Sequence, residues 1–186
     1  MTLSIWQGNK VRLRAFEAAD WETFFQIDQD TEIARLCYFI PFPRSPEASQ
    51  KWAAEAAMAK PVGDEFCFVI ETLEGEPVGT INTHHCDARS GTFQYGLGIH
   101  RDHWRKGYAR EAIYLVLRYF FSELRYQKVN APVYAFNQAS IQLHERLGFK
   151  EEGRLRRMIF TGGEYHDEIM FGMTLEEFAG YPWPAA

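Results

Sequence analysis

The sequence predicts an α+β fold, a mixed α/β sandwich around one sheet, and three observations carry that prediction. Residues 93–99, FQYGLGI, alternate Phe93, Tyr95, Leu97 and Ile99 with Gln94, Gly96 and Gly98, the period of a strand with one apolar and one nearly bare face. Residues 103–121 then change period. Ala109, Ala112, Ile113, Val116, Leu117 and Phe120 recur at intervals of three and four, one buried face of an amphipathic helix. Around this pair the strand runs come as hairpins, turning at Leu73-Glu74-Gly75-Glu76 and at Thr161-Gly162-Gly163, so the sheet is expected to be mostly antiparallel.

From the start of the chain, VRLRAF (11–16) alternates like a strand, with Val11, Leu13 and Ala15 on one side and Arg12, Arg14 and Phe16 on the other. Asp20 reads as the cap of a helix through Trp21, Phe24, Phe25 and Ile27. A short polar step leads to Cys37-Tyr38-Phe39-Ile40-Pro41-Phe42-Pro43, where two prolines deny both a long helix and a central strand. An aromatic loop of this kind either plugs the core or walls a binding site. Residues 45–60 form an alanine-rich helix opened by Ser45 and Pro46. Strands at 66–71 and 77–84 follow, and a turn at 87–91 leads to the strand of Gln94. Beyond the central helix, 128–133 is a strand, and 137–147 is a helix with Ile141, Leu143 and Leu147 inward, closed by Gly148 in the left-handed conformation. Residues 149–173 make two long strands, and the tail (175–186) begins as a short helix that frays at Pro182 and Pro184.

A chain of 186 residues with no repeat, linker or low-complexity segment is expected to be one domain, 1–186. The hydrophobic fraction of 46% and charged fraction of 24% are those of a globular protein. A net charge of −5 argues against general nucleic-acid binding and mildly favours a cationic substrate. Cys37, Cys67 and Cys86 are widely spaced and odd in number, suggesting neither a disulfide framework nor a metal site. Cys67, in an apolar strand, reads as core filler. The amino terminus, MTLSIWQGNK, lacks the pattern of a signal peptide, and no apolar run is long enough to cross a bilayer, so a cytoplasmic location is expected.

The turn Trp104-Arg105-Lys106-Gly107-Tyr108-Ala109 between the central strand and helix is where chemistry is expected. The first N–H groups of a helix have no internal partner, and the positive end of the helix dipole lies behind them, so this turn is an anion seat with phosphate the natural anion. It lacks the second glycine and the Lys-Ser/Thr pair of a Walker loop, and the three spaced glycines of a dinucleotide fingerprint.

Thirty residues on, Asn137-Gln138-Ala139-Ser140 with Leu147-Gly148-Phe149 resembles the Asn-x-x-Ser…Leu-Gly-Phe signature of the GNAT superfamily of acyl-coenzyme A-dependent N-acetyltransferases. In that family it follows a turn of the form Gln/Arg-x-x-Gly-x-Gly/Ala, the place taken here by residues 104–109. Val11-Arg12-Leu13-Arg14 with Asp20, and Tyr165-His166-Asp167 with Phe171, look like the two ends of the branch containing the ribosomal-protein alanine N-acetyltransferases. There are departures: Trp104 stands where many members have Gln or Arg, Arg105 where the branch often has glycine, Gln94 where an acid is frequent, and His144 where other branches place a tyrosine acid.

The resemblance implies a GNAT-type fold with a V-splayed sheet, acetyl-CoA as co-substrate, no metal, and an amine acceptor. Its pantetheine arm is expected in the splay beside the strand of Gly96 and Gly98, where backbone N–H groups of Leu97, Gly98 and Ile99 meet the thioester oxygen. The diphosphate is expected on the backbone of Arg105, Lys106, Gly107, Tyr108, Ala109 and Arg110, with the side chains of Lys106 and Arg110 in support. Asn137 caps its helix and, by resemblance, also bonds the pantetheine arm; Ser140 faces the departing thiolate, and His144, one turn on, is a candidate acid for it. The attacking amine must be neutral. At pH 7 a lysine amine is only about 0.04% neutral, whereas an α-amine is roughly a tenth neutral. His85, with His84 and Glu168, is a candidate base, and Gln94 cannot serve. The acceptor pocket is expected from the 38–43 loop, the first two helices and the Gly162-Gly163 hairpin, with Asp28, Asp30 and Glu32 able to attract a cation. Peptide amino termini, polyamines, amino sugars and antibiotics all remain open as acceptors, as do a non-catalytic coenzyme-binding module and a homodimer.

Overall fold

The computed structural model describes residues 4–37 and 39–183; Tyr38 and Pro184 therefore lie outside the described residues. Seven strands, β1 (Val11–Arg14), β2 (Cys67–Thr72), β3 (Pro77–Asp87), β4 (Thr92–Ile99), β5 (Lys128–Tyr134), β6 (Lys150–Thr161) and β7 (Glu164–Thr174), hydrogen-bond in the order β1-β2-β3-β4-β5-β7-β6. The helices are α1 (Trp21–Asp28), α2 (Thr31–Cys37), α3 (Pro46–Ala57), α4 (Tyr108–Ser122), α5 (Gln138–Arg146) and α6 (Leu175–Gly180). The mixed α/β architecture with a mostly antiparallel sheet is the one expected.

The pair β4–β5 is parallel. Its ladder runs only from Thr92↔Lys128 to Gln94↔Asn130 among the described residues, while β4 continues to Ile99 and β5 keeps pairing with β7 as far as Tyr134↔Glu168. The strands are thus zipped at one end only.

Two compact units emerge, one of residues up to Asn82 with Leu97–Leu115, the other of Thr83–Gly96 with Val116 onward. In the first, β1 stops at Arg14, Ala15 is exposed and Phe16 turns inward against Phe24 and Val69, so the alternation expected to reach residue 16 ends two residues early. Asp20 does not cap α1 through its side chain. Its carboxylate takes both terminal nitrogens of Arg14 at 2.8 Å, while Arg14 Nε donates to the buried Glu71 at 2.6 Å. Two carboxylates, the nearer effect being the bond to Asp20, push the Arg14 guanidinium further above its already high range.

The expected short polar step is the helix α2. Asp30 opens it, its Oδ1 accepting the N–H groups of Glu32 and Ile33 at 3.0 and 3.1 Å. Ser45 caps α3 through the N–H of Ala48, with Pro46 at the first helical position as expected. In the loop between them Phe42 is 96% exposed and Phe39 59%, which excludes plugging of the core.

In the second unit Phe93 stacks on Phe120 at 4.1 Å, with Phe121 and Tyr126 edge-on. Helix α4, of which residues 108–115 belong to the first unit and 116–122 to the second, is buried on more than its predicted apolar face, since Glu111, Leu115 and Phe121 are buried too. In α5 the inward residues are His144 and Leu147, with Ile141 and Leu143 only half-buried. Gly148 (φ +83°) ends this helix, the N–H of Phe149 reaching the carbonyl of His144 and that of Gly148 the carbonyl of Glu145, both at 3.0 Å.

Candidate active site

The first unit holds the turn expected to seat an anion. After the strand β4, a 3-10 turn (Arg101–His103) and extended Trp104 lead to Arg105 (φ +61°) and Gly107 (φ +88°), and the first helical bond of α4 runs from Glu111 N–H to the Gly107 carbonyl. The N–H groups of Tyr108, Ala109 and Arg110 precede that bond, at the end where the helix dipole is positive. Lys106 and Arg105 are exposed, and Arg110 is half-buried. Trp104 braces the turn, its indole N–H donating to the carbonyl of Ile99 at 2.6 Å.

Two residues that sequence reasoning missed hold this seat. Lys10 Nζ donates to the carbonyl of Lys106 at 2.8 Å, adding a positive charge beside Gly107. The buried Glu111 carboxylate accepts three consecutive backbone N–H groups, Asn9 (2.9 Å), Lys10 (2.7 Å) and Val11 (2.8 Å). The sequence signal is only an acid just before the apolar Ala112-Ile113, about a hundred residues from its partners.

The same unit contains a cavity of about 300 Å³. Gly98 and Ile99 of β4 form one wall, Phe16, Phe24 and Trp52 an aromatic one, and Asp28, Arg44 and His100 supply its charged or titratable polar groups. Gly79 lets β4 approach, since a Cβ there would meet the Gly98 carbonyl oxygen at 2.1 Å. Burial raises the Asp28 carboxyl above its usual range, and Arg44, 3.8 Å away, works against that rise. Asp30 is drawn off by a fork from Arg101 at 2.9 and 3.1 Å, which lowers its carboxyl. Cys67 is not core filler: it opens onto the cavity, whose walls still push its thiol up to about 11. Cys37 also lines the cavity and is shifted the same way by burial.

The second unit holds the α5 residues. Asn137 Oδ1 accepts the Ser140 N–H at 3.1 Å, so the asparagine is a helix cap. His144 is 4% exposed, between the Tyr95 hydroxyl (2.7 Å to Nε2) and the Ser140 carbonyl (2.8 Å to Nδ1). A carbonyl oxygen only accepts, which assigns the proton to Nδ1 and makes Tyr95 O–H the donor to Nε2. Burial lowers His144 to about 4 and raises Tyr95 well above the usual phenol range, leaving both neutral at pH 7. The expected His144 acid is therefore not supported: the ring is uncharged and its one proton is committed to the backbone.

A pH effect follows. With a folded value of about 4 against an unfolded 6.5, the stability supplied by neutral His144 is complete above pH 6.5 and is lost as pH falls through 4. The loss amounts to about 3 kcal/mol. Urea titrations at pH 7 and pH 4 are expected to show this extra acid sensitivity in the native sequence and not in His144→Gln.

The expected base His85 is exposed, with φ +48°, and its Nδ1 faces that of His84 at 2.9 Å, so one ring must donate to the other. No substrate-facing role for it emerges from this geometry. Glu168 is half-buried, and burial raises its carboxyl. Arg154, Arg156 and Arg157 of β6 and Asp167 of β7 line an open concavity; Asp167 accepts Arg154 Nε at 2.8 Å and the Arg157 N–H at 3.0 Å.

The chain belongs to the GNAT acetyltransferase family: residues 10–150 match the model of the acetyltransferase (GNAT) domain. It is 45% identical over 178 residues, 96% of this chain and 97% of the relative, to the SPbeta prophage-derived uncharacterized N-acetyltransferase YokL of Bacillus subtilis. It is 26% identical to the spermidine N(1)-acetyltransferase of Vibrio cholerae over 86% of this chain and 90% of that one. Among solved structures, a GNAT-family acetyltransferase from Bacillus anthracis superposes with a TM-score of 0.76 at 25% identity, covering 91% of this chain and 98% of that one. The Vibrio cholerae spermidine N-acetyltransferase, solved with CoA and spermine, shares the fold, with a TM-score of 0.78 at 23% identity over 92% and 99% of the two chains. The protein is an N-acetyltransferase, and the acyl donor of its family is acetyl-coenzyme A. No helix among the described residues is long and apolar enough to cross a membrane.

Proposed function

We propose that the chain acetylates a small primary amine by direct attack on acetyl-coenzyme A in a ternary complex. The observation that carries this is the cavity bounded by Gly98 and Ile99, in the same unit as the anion seat. The main-chain donors at Tyr108, Ala109 and Arg110 receive the diphosphate, with Arg105, Lys106 and Lys10 supplying positive charge and Gly107 leaving the approach bare. The pantetheine arm lies along the part of β4 that has no β5 ladder. Donors from Leu97, Gly98 and Ile99 meet the oxyanion, one such donor being worth about 3 kcal/mol of barrier. Asn137 bonds the pantetheine arm, and Ser140 hydrogen-bonds the departing sulfur. His144 positions Ser140 through its backbone bond instead of giving a proton.

Direct attack is favoured over an acyl-enzyme because burial raises the thiols of Cys37 and Cys67, the two cysteines that line the cavity, and so disfavours their nucleophilic thiolate forms. A second reading, acetylation of the α-amine of an acidic peptide, is favoured by the open arginine-lined concavity on β6. Thiol release measured with small amines and with acidic peptides separates the two. Tight acetyl-coenzyme A binding without release on any amine would instead make the chain a coenzyme-binding module.

A further inference from the structure

We infer that the acceptor is a compact amino carboxylate with an apolar or aromatic body, its ammonium group received by Asp28 and its carboxylate by Arg44; this rests on the reading above that the cavity is the acceptor site. At about 300 Å³ the cavity lies at the small end of small-molecule sites, which run from roughly 300 to 1,000 Å³. It therefore suits a molecule of amino-acid size better than a larger, many-armed amine.

Among the lining residues Asp28 and Arg44 are the two that carry fixed charges, and they cancel. Their separation of 3.8 Å is about an ångström beyond a direct charge-assisted hydrogen bond, so the pair attracts without satisfying either group. Each side chain is more than a third exposed, open to a ligand. Arg44 is held in place from below, its guanidinium 5.3 Å over the Trp52 ring. The Trp52 ring in turn meets Phe16 and Phe24 edge-on at 5.4 and 6.4 Å, making an apolar wall next to the charges.

A polyamine brings several positive charges and needs several carboxylates. Here Asp30 is engaged by Arg101, and Arg44 opposes any second cation. A zwitterion matches the site, with one charge for each partner and an apolar remainder for the rings. The ammonium first releases one proton to solvent. The amine lone pair then forms the N–C bond to the thioester carbonyl carbon, the C–S bond breaks with its electron pair on sulfur, and the second amine proton leaves as sulfur gains one, giving an amide and free coenzyme A thiol.

The test is steady-state thiol release by the full chain with phenylalanine, its decarboxylated counterpart phenethylamine, and spermidine, repeated on Arg44→Met and Asp28→Asn. Phenylalanine is expected to exceed both other amines by about tenfold or more in kcat/KM. Arg44→Met is expected to raise the KM for phenylalanine about tenfold or more without raising that for phenethylamine, because the cation that opposes an ammonium beside Asp28 is removed; Asp28→Asn should weaken both. Preference for spermidine, or equal loss on both amines in Arg44→Met, overturns the inference while leaving the acetyltransferase reading standing. Release with none of a broad amine panel overturns both. If a variant fails to fold, as judged by its melting temperature and coenzyme binding, the ranking of the three amines by the native sequence decides.

Discussion

Replacing Glu111 by alanine is expected to lower the unfolding free energy by about 4 kcal/mol, read as a shift of the urea midpoint at unchanged slope. Its carboxylate serves three successive N–H groups at 2.7–2.9 Å. Hydrogen bonds to a charged acceptor contribute roughly 1.5–3 kcal/mol each. Asn9 and Lys10 are exposed and recover part of that from water, whereas the Val11 N–H is buried and recovers nothing. Glu111→Gln keeps one accepting oxygen and should cost about half as much. The glutamate side chain also fills the space beside Gly8, where a Cβ would come within 2.4 Å of it. A loss below about 1 kcal/mol in the alanine variant would mean that residues 8–11 find other partners.

Gly107→Val is expected to reduce acetyl-coenzyme A affinity about 100-fold, measured by titration calorimetry, while the far-UV spectrum stays that of the native protein. At φ +88° a β-branched residue is strained, at a cost of about 1–3 kcal/mol. A Cβ would also sit 3.1 Å from Lys10 Nζ, displacing the cation that steadies the turn. The new side chain stands at the mouth of α4, over the amides proposed to hold the diphosphate. Unchanged affinity would remove those amides from the binding site.

What could be read from the chain and what could not divides by range of interaction. Elements written in their own periodicity were visible: β4 and α4, the Ser45-Pro46 opening of α3 and the Gly148 ending of α5 each carry their signal within a few residues. The missed helix α2 also had one, since Asp30 stands before Thr31 and Glu32, but its seven residues offer too few apolar positions to show a period. The burial of His144 and the early end of β1 depend on tertiary neighbours, Tyr95 in one case and the Phe24–Val69 cluster in the other. For the candidate site, the turn at Gly107 was legible because glycine and basic residues mark it locally. Lys10 and Glu111 were not, nor was Arg44 as the neighbour of the expected Asp28, because each acquires its place from a residue distant in sequence.

The outer strand β6 has a consequence for self-association. Between Leu155 and Ile159 it spends four steps where β7 spends two, and at Arg157 (φ +58°) the main-chain amide is already taken by Asp167. A second copy laid along this rim would lose register halfway and find that donor spent, which disfavours lengthening of the sheet from that side.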